Sequence, residues 1–193
     1  MEPTQDGTIS WENLYAHNRR IVEPEANRYF FVNAPQELTV KEIPKQYEAK
    51  IALHPDHPER GFRRFTIMPK NGVAKFWVAK EDWETIEESR MVRFMELFNI
   101  TTDGSSRGTT QATFHSEGYE EAKKSRAPLI HWLPIEKKLK CQVILPDNSL
   151  ASGLAEESCS ELQVGMIVQF ERFGFVRIDS RKANLVAAYY CHR

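Results

Sequence analysis

The chain has 193 residues, 41% of them hydrophobic and 27% charged, so a sizeable core can be buried and disorder is not the default expectation. A formal net charge of -1 excludes a uniformly basic nucleic-acid coat protein, although a balanced chain can still gather its arginines on one face.

Ser10 is a good helix N-cap ahead of Trp11 and Glu12. Trp11, Leu14 and Ile21 fall near one helical face that excludes Arg19 and Arg20, and Pro24 should bend or interrupt the helix. From Tyr29 the texture changes to short β-branched and aromatic runs punctuated by Pro, Gly, Asn and Asp. They are Tyr29–Val32, Glu37–Ile43, Tyr47–Leu53, Arg63–Ile67, Ala74–Val78, Val92–Ile100 and Thr110–His115. Leu129–Leu133, Lys140–Leu145, Met166–Phe173, Phe175–Ile178 and Leu185–Tyr190 continue the series. Such runs predict strands, and about twelve in this length suit two small barrels better than one sheet. Pro69-Lys70-Asn71-Gly72 is a strong turn, because Asn-Gly tolerates positive φ at both central positions. Thr101–Gly108 reads as an exposed loop, Gly118–Arg126 as a short helix or hairpin tip, and Ser152–Gln163 as helix or loop rather than strand. There is no internal repeat and no low-complexity tract.

The sequence holds no Gly-rich phosphate loop and no Gly-x-Ser-x-Gly elbow. His54-Pro55-Asp56-His57-Pro58 brings two imidazoles close, but the prolines preclude the regular helix on which an i, i+3 metal pair would share a face. Cys141, Cys159 and Cys191 make neither a disulfide framework nor a zinc ribbon, and are expected to be free thiols in a reducing cytoplasm. No apolar stretch approaches the ~20 residues of a membrane span, and the acidic, polar start Met-Glu-Pro-Thr-Gln-Asp-Gly is not a signal peptide. Reading single-stranded bases needs rigid donor forks beside surfaces on which bases can rest. Arg28-Tyr29-Phe30-Phe31, Arg93-Phe94 and Gln169-Phe170-Glu171-Arg172-Phe173 qualify. In the last, strand alternation predicts Gln169 and Glu171 on one face, Phe170 and Arg172 on the other. Ordinary strands with solvated charges and buried rings would give the same pattern.

Ser10-Trp11-Glu12-Asn13-Leu14, Asn18-Arg19-Arg20 and Arg28-Tyr29-Phe30-Phe31-Val32 resemble the helix-to-barrel junction of archaeal-type glutamyl-tRNA synthetases. Leu53-His54-Pro55-Asp56-His57-Pro58-Glu59-Arg60-Gly61 is similar to a signature shared with glutaminyl-tRNA synthetases. Val92-Arg93-Phe94-Met95-Glu96-Leu97-Phe98-Asn99, Ile130-His131-Trp132, Gln169-Phe170-Glu171-Arg172 and Arg177-Ile178-Asp179-Ser180 continue the resemblance in order, from about Thr8 to the end. It implies a mainly β fold of two antiparallel β-barrels after an N-terminal helix. Residues 1–28 would end a helical connector, 29–128 form the first barrel region and 129–193 the second, with strands exchanged between them. It implies that Arg28, Gln169 and Arg172 hold the central anticodon uridine, whose carbonyl and imide edges suit an amide and two guanidiniums. It also implies that Arg93 lies near the first anticodon base.

There are departures from the glutaminyl pattern. The arginine expected two residues after Arg93 is Met95, and the Lys-Arg pair that helps read the third anticodon base has no partner in Thr85–Ser89. Discrimination between tRNA-Glu and tRNA-Gln is therefore left open. The class I ATP signatures, of His-Ile-Gly-His and Lys-Met-Ser-Lys-Ser type, are absent and would precede residue 1. The parent is expected to be a cytoplasmic, ATP- and Mg-dependent glutamate–tRNA ligase, with tRNA and its own catalytic domain as partners, and this chain alone should not aminoacylate. Alternatives are the corresponding region of a glutaminyl-tRNA synthetase or a free-standing RNA-binding β-barrel protein. A small β-barrel enzyme is a weaker third, with no nucleophile, metal or acid pair to support it. Arg63, Arg64, Lys70 and Lys75 are candidate phosphate contacts if they are not simply a solvated face, and His131 and Trp132 are expected between the barrels.

Overall fold

The computed structural model describes residues 10–102, 111–136 and 138–193. Most of the predicted Thr101–Gly108 loop lies outside them. The first helix, α1 (Trp11–Val22), begins where Ser10 Oγ accepts from the Asn13 N–H at 3.3 Å and stops short of Pro24. The shared apolar face of Trp11, Leu14 and Ile21 is exposed. No helix among the described residues is long and apolar enough to cross a membrane.

Sixteen strands follow among the described residues. They begin with β1 (Arg28–Tyr29), β2 (Phe31–Asn33), β3 (Pro35–Lys41), β4 (Tyr47–Ala52), β5 (Phe62–Ile67) and β6 (Ala74–Ala79). After the short helix α2 (Trp83–Glu88) come β7 (Met91–Phe94), β8 (Asn99–Thr101) and β9 (Gln111–Ser116). The helix α3 (Tyr119–Lys124) precedes β10 (Leu129–Ile130), β11 (Leu133–Pro134), β12 (Leu139–Ile144) and β13 (Leu150–Ala155). The last are β14 (Ile167–Phe170), β15 (Gly174–Lys182) and β16 (Leu185–His192).

Two seven-stranded sheets hold fourteen of these, and β4–β5 form a separate hairpin. Each large sheet closes by the same device. In the order β1-β14-β15-β16-β12-β13-β2, the two edges are β1 and β2, which Phe30 alone separates in the chain. The sheet must therefore curl until its edges meet at Phe30. In the order β10-β7-β8-β9-β3-β6-β11, the edges are β10 and β11, joined by His131 and Trp132. Closing a sheet on itself removes the exposed edges on which strands aggregate. The sheets are mixed: β1–β14, β12–β16, β3–β9 and β7–β10 pair in parallel, and the remaining pairs are antiparallel.

The two closing segments meet. Consecutive strand residues point to opposite faces, so Phe30 enters the core of the second sheet while Tyr29 and Phe31 enter that of the first. Trp132 is fully buried in the second core beside Phe30, ring centroids 6.2 Å apart, and donates to the Met95 carbonyl at 3.0 Å. His131 sits between the sheets. Its Nδ1 faces Arg172 Nη1 at 3.4 Å, and a guanidinium can only donate, so the imidazole proton is on Nε2 and goes to the Phe31 carbonyl at 2.7 Å.

Burial, reinforced by Arg172, lowers the His131 pKa from 6.5 to about 4. The folded state therefore keeps His131 neutral where the unfolded chain takes up a proton. Its contribution is intact above about pH 6.5 and lost as pH falls towards 4, roughly 3 kcal/mol in all. Urea unfolding of His131→Gln and the unaltered protein at several pH values is expected to show their stability difference shrinking by about 1 kcal/mol per unit between pH 6 and 4.5. A constant difference would mean that His131 titrates normally in the fold.

Three predicted elements come out differently. Val92–Ile100 is not one strand but the hairpin β7–β8, turned at Phe94–Leu97 with Glu96 at φ 55°. Leu129–Leu133 is interrupted by the crossover at His131 and Trp132. Ser152–Gln163 begins inside β13, which pairs with β12 on one side and β2 on the other, before a 3₁₀ turn at Glu157–Glu161. The small residue Gly153 hides this strand in the sequence, yet the strand needs it. A Cβ there would stand 2.1 Å from the Val32 carbonyl oxygen. The Asn71-Gly72 turn forms as expected, both residues at positive φ.

Candidate nucleic-acid interface

The central candidates sit where the first sheet closes. Strand β1 lies parallel to β14 with Arg28 in register with Gln169, so residues from opposite ends of the chain become neighbours. Beyond β14, Phe170–Phe173 form a tight turn, with Phe173 N–H on the Phe170 carbonyl at 3.0 Å and Arg172 at φ 63°. This left-handed residue breaks the expected alternation. Phe170 points into the core, whereas Arg172 and Gln169 line one cavity of about 250 Å³ with Arg19, Glu23, Phe175 and Arg193. Non-glycine residues held at positive φ concentrate at functional sites. The cavity falls below the roughly 300–1,000 Å³ of a drug-sized ligand, which suits a single base.

Arg172 is held from behind. Asp82, only 1% exposed, accepts from both terminal guanidinium nitrogens at 2.7 and 2.5 Å. These bonds, above all, raise the Arg172 pKa. Asp82 takes one N–H from each of Nη1 and Nη2 and His131 faces the other on Nη1, so the Nε–H and the second Nη2 N–H, which share one edge, have no partner among the described residues. That edge is a two-donor fork on a fixed mount. Arg28 stands beside the cavity rather than in its wall. It pairs with Glu23, a lining residue, at 3.5 Å, and its Nε is buried without a partner.

Arg93 lies elsewhere, on β7 of the second sheet. It is buried, bonded to Asn99 Oδ1 at 3.0 Å and the Glu117 carbonyl at 3.2 Å, and its guanidinium lies 5.6 Å from the ring centre of exposed Tyr119. Met95 packs against the second core.

The His54–Gly61 loop clamps the end of α1. Asp56 N–H donates to His54 Nδ1 at 3.1 Å, so His54 Nε2 carries the proton given to the Glu23 carbonyl at 3.0 Å. Arg60 reaches the Pro24 carbonyl at 2.6 Å. The clamp sets where α1 ends, and with it Arg19 and Glu23. Of the candidate phosphate contacts, Arg63 is buried and belongs to no solvated face. Arg64 pairs with Glu48 at 3.1 Å and Lys75 with Glu37 at 2.6 Å, while Lys70 is exposed.

Two family models, both described as the anticodon-binding domain of class I tRNA synthetases for E and Q, match residues 26–116 and 129–179. The chain belongs to this family of anticodon-binding domains. It is 40% identical over 187 residues to a glutamate–tRNA ligase of Methanopyrus kandleri and 44% over 191 to one of Pyrococcus horikoshii. A Methanocaldococcus jannaschii glutamate–tRNA ligase is 37% identical over 188 residues. In each case 97% of this chain is covered but only 32–33% of the relative, so the chain spans about a third of their length.

Sequence reasoning about the anticodon-binding domain missed Asp82, Glu23 and Arg193. Asp82 carries a weak signal, an acid just ahead of a helix, but the natural inference from it is an N-cap. Its side chain makes no capping bond and serves Arg172 instead.

Proposed function

We propose that this domain reads the anticodon of glutamate tRNA for a cytoplasmic glutamate–tRNA ligase, with the central uridine in the cavity beside β1 and β14. The observation that carries the reading is the Arg28–Gln169 register beside a base-sized cavity that Gln169 shares with Arg172. A flipped uridine offers two carbonyl acceptors and one imide donor. A Gln amide can meet both kinds, and the free edge of Arg172 donates to a carbonyl. Arg19 and Arg193 add positive charge for the backbone phosphates. Arg93 would take the first anticodon base on the second sheet, where Tyr119 offers a ring for stacking. Adenylate formation with ATP and Mg²⁺, and transfer to tRNA, would belong to the part of the parent that this chain does not span.

The test is fluorescence anisotropy of the chain with a labelled anticodon stem-loop. Changing the central uridine to cytidine is expected to weaken binding at least tenfold, as the loss of one good base contact does. The chain alone, given ATP and glutamate, should form no adenylate. Equal affinity for the two stem-loops would remove the central-base reading, and turnover would remove the division of labour.

A further inference from the structure

A second cavity of about 420 Å³ shares Arg172 and Arg193 with the first. The wall between them is thin. Gly174 lines the first and Tyr190 the second, and a Cβ on Gly174 would lie 2.8 Å from the Tyr190 ring. Pro146, Phe173 and Tyr190 give the second cavity apolar walls, the two rings meeting edge to face at 5.7 Å. Aromatic walls of this kind are where unstacked bases rest.

Its charges are balanced, Glu81 and Asp147 against Arg172 and Arg193, whereas the first cavity sets Glu23 alone against Arg19, Arg172 and Arg193. Balanced charge gives a phosphate no net attraction here, and the two carboxylates, which only accept, favour an occupant that presents N–H groups. Glu81 is exposed and makes no hydrogen bond among the described residues, whereas Asp147 is fixed. Its Oδ1 accepts from Ser149 N–H at 2.9 Å and Ser149 Oγ at 2.6 Å, leaving Oδ2 open. The Ser149 bonds also hold the carboxyl below its usual range, so it stays ionised near neutral pH.

We propose that this second cavity binds the nucleotide adjacent to the central one, and that Asp147 selects a base with an exocyclic amine, which among pyrimidines means cytosine. A carboxylate accepts from the cytosine amine and is repelled by the O4 carbonyl that uracil has in its place. The inference rests on the central uridine occupying the first cavity. Two neighbouring bases would then straddle Arg172.

The test again uses anticodon stem-loops, with cytidine at the first or the third anticodon position replaced by 2-pyrimidinone ribonucleoside, which lacks only the amine. At one of these two positions the loss of the amine is expected to weaken binding about tenfold. Asp147→Asn keeps the Oδ1 acceptor for Ser149 and so the turn, but its outward group becomes a donor. That variant is expected to prefer uridine over cytidine at the same position, with an unchanged thermal midpoint. If central-base changes matter while amine removal matters at neither flank, the second cavity is not a base site and the proposal falls alone. If the central base does not matter either, the first-cavity reading falls and takes this one with it. Unaltered selectivity in Asp147→Asn would also overturn it.

Discussion

Replacing Glu156 by Ala is expected to lower the unfolding free energy by about 3–5 kcal/mol, the usual cost of stranding one member of a buried ion pair. Arg63 and Glu156 are almost completely enclosed, 2% and 1% exposed, at an N–O distance of 2.6 Å. Glu156 Oε2 also accepts the Phe30 N–H at 2.8 Å, filling the gap between β1 and β2 where the first sheet closes. Without the carboxylate, the Arg63 guanidinium stays buried over the Phe30 ring, 4.7 Å away. Its other acid is Glu171 at 3.5 Å, whose carboxyl burial pushes towards the neutral form. A loss of this size is a large share of the ~5–15 kcal/mol that stabilises an ordinary domain. Glu156→Gln keeps an acceptor for Phe30 and should lose less. Arg63→Met combined with Glu156→Leu should cost less than the sum of the two single changes, because no charge is then left alone. Urea titration followed by tryptophan fluorescence measures these two, the double change and its two single changes. A loss below about 1 kcal/mol for Glu156→Ala would mean that water reaches the pair.

Which parts of this fold are legible in the sequence follows from the range of the interaction involved. The β4–β5 hairpin is readable over Tyr47–Ile51 and Arg64–Ile67, where apolar and polar residues alternate as their burial does, but not at Phe62, which faces out, or Arg63, which is buried. The helix cap at Ser10 and the Asn71-Gly72 turn are local and equally readable. Strand β13 is not, because Ser152 and Gly153 lower its propensity for a reason visible only once β2 is laid against it. The Arg28–Gln169 neighbourhood comes from a parallel pairing across most of the chain, and nothing local encodes it. Resemblance supplied that expectation, and it also named Arg172. Neither resemblance nor alternation gave the way Arg172 reaches the cavity, since that depends on one left-handed residue and on an aspartate ninety positions away.

Arg172→Ala is expected to cost about 1–3 kcal/mol of affinity for a stem-loop with a central uridine and much less when that base is already changed. The distinction matters because an arginine can also hold a backbone. A phosphate contact would lose the same amount on every loop and flatten the salt dependence, and lysine would largely replace it. A base-reading fork would not survive Arg172→Lys, since a point charge cannot offer two parallel donors. Asp82 sharpens the test. Removing the arginine strands the Asp82 carboxylate in a buried position, so binding must be measured well below the unfolding temperature of the variant. Asp82→Asn leaves the reader in place but loosens its mount, and should reduce affinity for the central-uridine loop by less than Arg172→Ala does, with a matching fall in discrimination. Made together with Arg172→Ala, it should reduce affinity no further, because a mount without a reader has nothing to hold. If the two losses add, Asp82 acts on the RNA by another route, and the Arg172 fork is not the element that distinguishes the central base.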